Sequence, residues 1–162
     1  MIRVLNLLIA LLLWLSTPAQ SNSLIFGIGA EGVDGNDPTT TVFYLEYKSE
    51  PFFERGIFSA SFNTTTRIDT DTDFFIGGGA IAELSLFHRV FFEASLLPGF
   101  YNEGDDGTDL GGNFQFRSLF GLGFNLNAKS AVSLAIDHLS NAGIESKNPG
   151  TEAVTFRYRR RF

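Results

Sequence analysis

The sequence predicts an all-β fold, eight antiparallel strands closed into a transmembrane β-barrel of the outer-membrane type. Three observations carry that expectation. Alternation of apolar and polar residues with period two recurs in eight segments, and no segment shows a 3.6-residue stripe. Long polar connections alternate with shorter ones. Beyond Leu15, no apolar run approaches the ~20 residues that a membrane-spanning helix needs, so a membrane form of this chain crosses as strands.

The elements follow in order. Residues 1–21 read as a cleavable secretory leader, with one charge at Arg3, an apolar run over 4–15 and small residues at Thr17, Ala19 and Ser21. Cleavage after Ala19 or after Ser21 both satisfy the small-x-small requirement. Residues 22–162 then make one domain's worth of chain. Strands are expected at about 23–31, 40–48, 56–65, 73–85, 90–99, 113–126, 130–140 and 152–162. Long polar connections fall around 31–39, 66–72, 100–112 and 141–151. Those around 86–89 and 127–129 are short, and the one around 49–55 is longer. Short turns on one side and long loops on the other is the plan of small outer-membrane barrels, with both termini on the inner side.

Which face is apolar separates a membrane barrel from a soluble one. Over 113–126, Phe114, Phe116, Ser118, Phe120, Leu122 and Phe124 share a face opposite Gln115, Arg117, Leu119 and Asn125. The last strand sets Val154, Phe156, Tyr158 and Phe162 against Thr155, Arg157, Arg159 and Arg161. Eight strands enclose an interior only wide enough for side chains to fill. Rows of Phe and Leu would crowd it, whereas lipid accepts them. Glu46, Glu83, Glu93, Arg117 and Arg157 then face inward and pair as a polar filling. The terminal Phe162 resembles the C-terminal aromatic signature of bacterial outer-membrane proteins. The only Trp, Trp14, falls in the leader, so Phe and Tyr must supply the aromatic girdle.

Charge and composition exclude several functions. Removing Arg3 from 12 basic residues leaves 11 against 18 acidic ones, a net charge of −7 that argues against a nucleic-acid partner. Zero cysteines exclude disulfides, thiolate metal sites, a cysteine nucleophile and a lipidated N-terminal cysteine.

The seventh strand breaks its own pattern. Val132, Leu134 and Ile136 are followed on the same outward face by His138 and Ser140. Side chains at i and i+2 stand about 6.5–7 Å apart on one side of a strand, within reach of a leaning imidazole. Glu152 begins the last strand with the same parity, opposite or diagonal to His138. A hydroxyl, an imidazole and a carboxylate on one face have the chemistry of nucleophile, general base and orienting acid. The topology puts them near the outer head-group boundary, where a bland polar rim costs only about 0–1 kcal/mol per group.

The run His138-Leu139-Ser140-Asn141-Ala142-Gly143, followed by Asn148-Pro149-Gly150 and Glu152, resembles the lipid A 3-O-deacylase (PagL-type) family. The likeness is strong over the last two strands and looser over the eight-strand plan. It implies an outer-membrane esterase that acts on lipid A of lipopolysaccharide and releases the acyl chain ester-linked at the 3-position, a 3-hydroxy fatty acid. It further implies Ser140 as nucleophile, His138 as base, Glu152 as orienting acid, and Asn141, Gly143 and Asn148 around the oxyanion. That chemistry needs neither a metal nor an organic cofactor. The residues alone leave open a non-catalytic small barrel, or another outer-membrane phospholipase or acyltransferase.

Weaker signals are read as structural. The glycine pattern over 27–32 matches a dinucleotide fingerprint but lacks the following helix. Asp69, Asp71 and Asp73, and more loosely Asp105, Asp106 and Asp109, lack the Gly and Glu of a calcium loop and are expected in solvated loops. His88 is expected at the surface of an inner turn. Glu145 rivals Glu152 as the acid but lies in mid-loop. Asp137 points inward, toward a lumen arginine.

Overall fold

The computed structural model describes residues 22–33, 39–87 and 89–162. The secretory-leader reading and the placement of His88 fall outside these described residues. The strands are β1 (Ser23–Glu31), β2 (Thr40–Arg55), β3 (Phe58–Asp69), β4 (Phe74–Leu86), β5 (Val90–Asn102), β6 (Phe114–Asn125), β7 (Ser130–Ser140) and β8 (Thr151–Arg161). They close in sequential order, each antiparallel to its neighbours, with β8 returning to β1.

One connection differs from expectation. Residues 49–55 are not a loop but the end of β2, and the hairpin turns at Gly56 and Ile57. The pairing with β3 shifts register between Lys48 and Pro51 and again between Pro51 and Phe53. Proline has no N–H to give the ladder, so it sits where the ladder is interrupted by a bulge. Gly56 takes the left-handed conformation (φ 63°) that closes the tip. The strand β3 likewise extends to Asp69, leaving only 70–73 between it and β4.

The faces divide as the alternation demands. Phe120, Leu122, Leu134, Ile136, Phe156 and Phe162 are exposed on the outside, as a lipid-facing surface requires. Arg117, Arg157, Glu46 and Glu93 are among the most deeply buried side chains. Glu46 accepts from Arg117 Nη1 at 2.9 Å, Arg157 Nη2 at 2.7 Å and Asn63 Nδ2 at 3.0 Å. Arg117 Nε also donates to Asp137 (3.2 Å), which accepts a further bond from the Tyr44 hydroxyl at 2.8 Å. Arg157 bridges on to Glu93, and Glu83 joins Arg159 and Lys48 toward the inner mouth. Arg67 joins Glu31 and Asp69 toward the outer mouth. Most of these charges are compensated across strands, whereas Asp69 meets Arg67 within β3.

The outer mouth is closed by the β5–β6 loop. Leu110 of that loop is buried with Phe75, Tyr101 and Leu139. Asp73 holds the loop in place by accepting from the backbone amides of Gly104 (2.7 Å) and Thr108 (2.9 Å). Asp69 accepts from the amides of Asp71 (3.0 Å) and Asp73 (2.9 Å). Asp69 and Asp73 are therefore buried, not solvated: their carboxylates satisfy amides that a tight turn leaves without strand partners. Among the described residues no cluster of His, Asp and Glu is arranged to hold a metal ion. The glycine pattern lies in β1, where Gly29 lets the backbone of β8 approach; a Cβ there would meet Val154 O at 2.3 Å.

Replacing Glu46 by Ala leaves two buried guanidiniums without their shared partner. The expected cost is about 3–5 kcal/mol, read as a lower urea midpoint for the loss of heat-modifiable gel mobility.

Candidate active site

The outer end of β7 presents Ile136, His138 and Ser140 to the outside while Asp137 and Leu139 are buried inside. His138 and Glu152 are direct cross-strand partners, so of the two registers that parity allowed, the opposed one holds. His138 Nδ1 lies 2.8 Å from Glu152 Oε1. With Nδ1–H donating to the carboxylate, a neutral ring keeps Nε2 as a free base. The two side chains are 42% and 35% exposed, so the pair sits on the barrel wall and not in a pocket.

Gly150 sets where the ring lies. A Cβ on this residue would stand 2.7 Å from His138 Cε1 and 3.3 Å from Nε2, and its φ is 71°. The Cε1–Nε2 edge therefore rests over Gly150, the residue just before β8. Ser140 lies at this outer level: it pairs with Phe116 of β6, shares the His138 face and is half-buried. No described residue hydrogen-bonds its hydroxyl. The structure thus brings His138 and Glu152 into contact and sets Ser140 beside them, unbonded.

Asn141 is fully buried and organises the loop after Ser140. Its Nδ2 donates to Leu110 O at 3.1 Å and Lys147 O at 2.7 Å, and its Oδ1 accepts from the Gly143 amide at 2.9 Å. Its own amide donates to Asn148 Oδ1 at 3.0 Å. Asn141, Gly143 and Asn148 therefore form one hydrogen-bonded turn, with Ala142 (φ 55°) and Gly143 (φ 76°) both left-handed. For Ala142 that conformation is strained, and the bonds around it hold it there.

A second tether joins this loop to the β5–β6 loop. Lys147 Nζ reaches Asp109 Oδ2 at 2.6 Å. That bond and the Gly111 amide hold the Asp109 carboxyl below its ordinary range. The tether therefore persists above the ordinary carboxylate pKa and is lost as pH falls through the lowered value. Glu145 is exposed and lies against Gly112, not at His138.

Two features escape sequence reading. Gly150 carries no chemistry, and its importance appears only when the ring is placed. Ser118, the cross-strand partner of His138 on β6, was visible as the polar break in a row of phenylalanines. A cavity of about 580 Å³ opens at the inner mouth among Lys48, Glu83, Arg159 and Arg161, at the other end of the barrel from His138.

Comparison with known proteins gives three concordant findings. The family described as Lipid A 3-O-deacylase (PagL) matches residues 76–161. The lipid A deacylase PagL of Bordetella bronchiseptica is 42% identical over 53 residues, which are 33% of this chain and 30% of that protein. The match therefore spans less than a third of that relative's length. Among solved structures, the outer membrane enzyme PagL superposes with a TM-score of 0.67 at 17% identity, over 85% of this chain and 97% of that one. Neisserial surface protein A superposes with a TM-score of 0.55 at 11% identity, over 87% of this chain and 96% of that one. At such identities the structural likeness establishes the fold.

Two variants probe this geometry. Gly150→Ala is expected to push the imidazole off Glu152, seen as a changed tautomer signature of His138 in ¹⁵N spectra, with the barrel still folded. Asn141→Ala, by freeing two carbonyls and one amide, is expected to speed tryptic cleavage after Lys147 several-fold.

Proposed function

Because the chain belongs to the lipid A 3-O-deacylase (PagL) family, we propose that it is an outer-membrane serine esterase that hydrolyses the ester-linked acyl chain at the 3-position of lipid A. The observation that carries this reading is the His138–Glu152 pair, turned outward beside Ser140 where a lipid substrate can reach it laterally. A lumen-facing pair would meet no lipid. An eight-stranded outer-membrane barrel has lipid on its outer wall, so the substrate needs no entry channel.

In the proposed mechanism, Glu152 holds the imidazole through Nδ1 and stabilises the imidazolium as it forms. His138 Nε2 takes the hydroxyl proton as Ser140 Oγ attacks the ester carbonyl. The free hydroxyl in this structure tightens onto Nε2 when substrate is bound, as catalytic hydrogen bonds commonly do. Collapse of the tetrahedral intermediate expels the sugar hydroxyl, which receives the proton from His138. Water, deprotonated by the same imidazole, then releases the fatty acid from Ser140. The side-chain and backbone N–H groups of Asn141 are all engaged in the loop, so its part is to fix the turn that follows the nucleophile. The Gly143 and Ile144 amides are engaged within the turn as well, so the donors left to meet the oxyanion are the Ala142 amide and Asn148 Nδ2.

Mass spectrometry of lipid A from cells with and without the protein tests the reading. The expected result is loss of one 3-hydroxyacyl chain. An unchanged lipid A would indicate a non-catalytic barrel, and a gained chain an acyltransferase. Ser140→Ala and His138→Ala are each expected to abolish release while heat-modifiable mobility persists. Glu152→Gln, which keeps the shape but loses the charge, should lower turnover by about 10²-fold or more.

A further inference from the structure

The outward row of β6 reads Phe114, Phe116, Ser118, Phe120, Leu122, Phe124, and Ser118 alone interrupts it. Ser118 pairs directly with His138, which pairs directly with Glu152, so three polar side chains stand in one row across β6, β7 and β8. Glu152 occupies one side of the imidazole; Ser118 stands on the other. No described residue hydrogen-bonds the Ser118 hydroxyl. A hydroxyl kept on a lipid-facing wall without a partner is a polar group left uncompensated. Ser118 is half-buried where Phe114 and Phe120 around it are exposed, so the row lies in a shallow depression of the wall.

Depth identifies what such a hydroxyl can meet. Ser140 pairs with Phe116, one outward row nearer the outer rim, so the Ser118 row lies deeper in the membrane by two residues, about 6.5–7 Å. An acyl chain whose carbonyl carbon is held at Ser140 must run inward, since its tail belongs in hydrocarbon. It crosses the Ser118 row within its first few carbons. Lipid tails have nothing to offer a hydroxyl there unless the chain itself carries a polar substituent close to the ester. A hydroxyl on C3, two carbons from the carbonyl, together with a hydrogen bond of about 2.8 Å spans the gap between the rows.

The geometry points to Ser118 as a specificity residue that hydrogen-bonds the C3 hydroxyl of the acyl chain being cleaved. This rests on the esterase reading above and adds to it how the wall distinguishes a 3-hydroxyacyl ester from a plain one. A site that offers a hydrogen bond to a substrate hydroxyl disfavours the analogue lacking it, because its own polar group then stays unpaired in an apolar setting.

The test compares kcat/KM for two synthetic esters of one chain length, plain and 3-hydroxy, using the purified barrel in phospholipid vesicles. The wild type is expected to prefer the 3-hydroxy ester. Ser118→Ala should lower kcat/KM for that ester about tenfold while the plain ester changes less than about twofold. Ser118→Thr, which keeps the hydroxyl, should retain the preference. An equal loss on both esters would assign Ser118 a role in wall packing and overturn the inference, as would a preference unchanged by Ser118→Ala. A wild type no faster than Ser140→Ala on either ester overturns the esterase reading itself, and the role of Ser118 with it.

Discussion

A side chain on a barrel strand has two destinations, lumen or lipid, and in this molecule the bridging of Arg117 and Arg157 by Glu46 decides which side each residue takes. Slipping β6 or β8 by one residue would carry an arginine to the lipid face, at about 2–4 kcal/mol near the midplane, and strand an acid inside. The same slip would turn Phe rows into a lumen already filled. Because strand parity is strict, fixing the arginines inward also fixes His138, Ser140 and Glu152 outward. The orientation of the proposed triad is thus set by ion pairs that take no part in its chemistry.

The loops extend this division of labour. Leu110 and Asp73 seal the outer mouth from above, and Asn141 ties the turn after Ser140 to that seal through the Leu110 carbonyl. The segment following the proposed nucleophile is therefore anchored on the lumen side, although the nucleophile itself faces out. The strain of a left-handed Ala142 is tolerable only against such an anchor.

Much of this was legible in the sequence, since a two-residue period survives any tertiary arrangement. The inward rows of Glu46, Glu93, Arg117 and Arg157, the pairing of Asp137 with a lumen arginine and the outward turn of His138 all follow from parity. Parity could not choose between opposed and diagonal registers for Glu152, because both place it on the same face. It also failed at Pro51, where two register shifts let the strand run on through a residue that usually ends one. Asp69 and Asp73 looked solvated because acidic residues in loops usually are; the amides that Asp73 binds lie more than thirty residues away, a distance that local pattern cannot cross. The role of Gly150 was hidden for another reason: what matters there is an absent side chain, and only a placed imidazole shows the need for it.

The half-exposed state of His138 and Glu152 carries a consequence for how such a site gains strength. A soluble hydrolase surrounds its catalytic hydrogen bonds with a protein pocket, which lowers the local dielectric and strengthens them. Here the protein supplies only one wall: strands β6 to β8 behind the groups and Phe116 and Ile136 at their sides. Lipid must supply the other. In the proposed reaction, the acyl chain being cleaved and its neighbours would exclude water from the Nδ1–Oε1 bond, so the arrival of substrate and the drying of the site would be one event. That coupling favours the transition state only when the ester lies at the depth of Ser140, because a chain seated higher leaves the pair wet and one seated lower brings no carbonyl to the hydroxyl. Depth in the bilayer then acts as a selector in its own right, and it is set by the same parity and register that hold Glu46 between its two arginines.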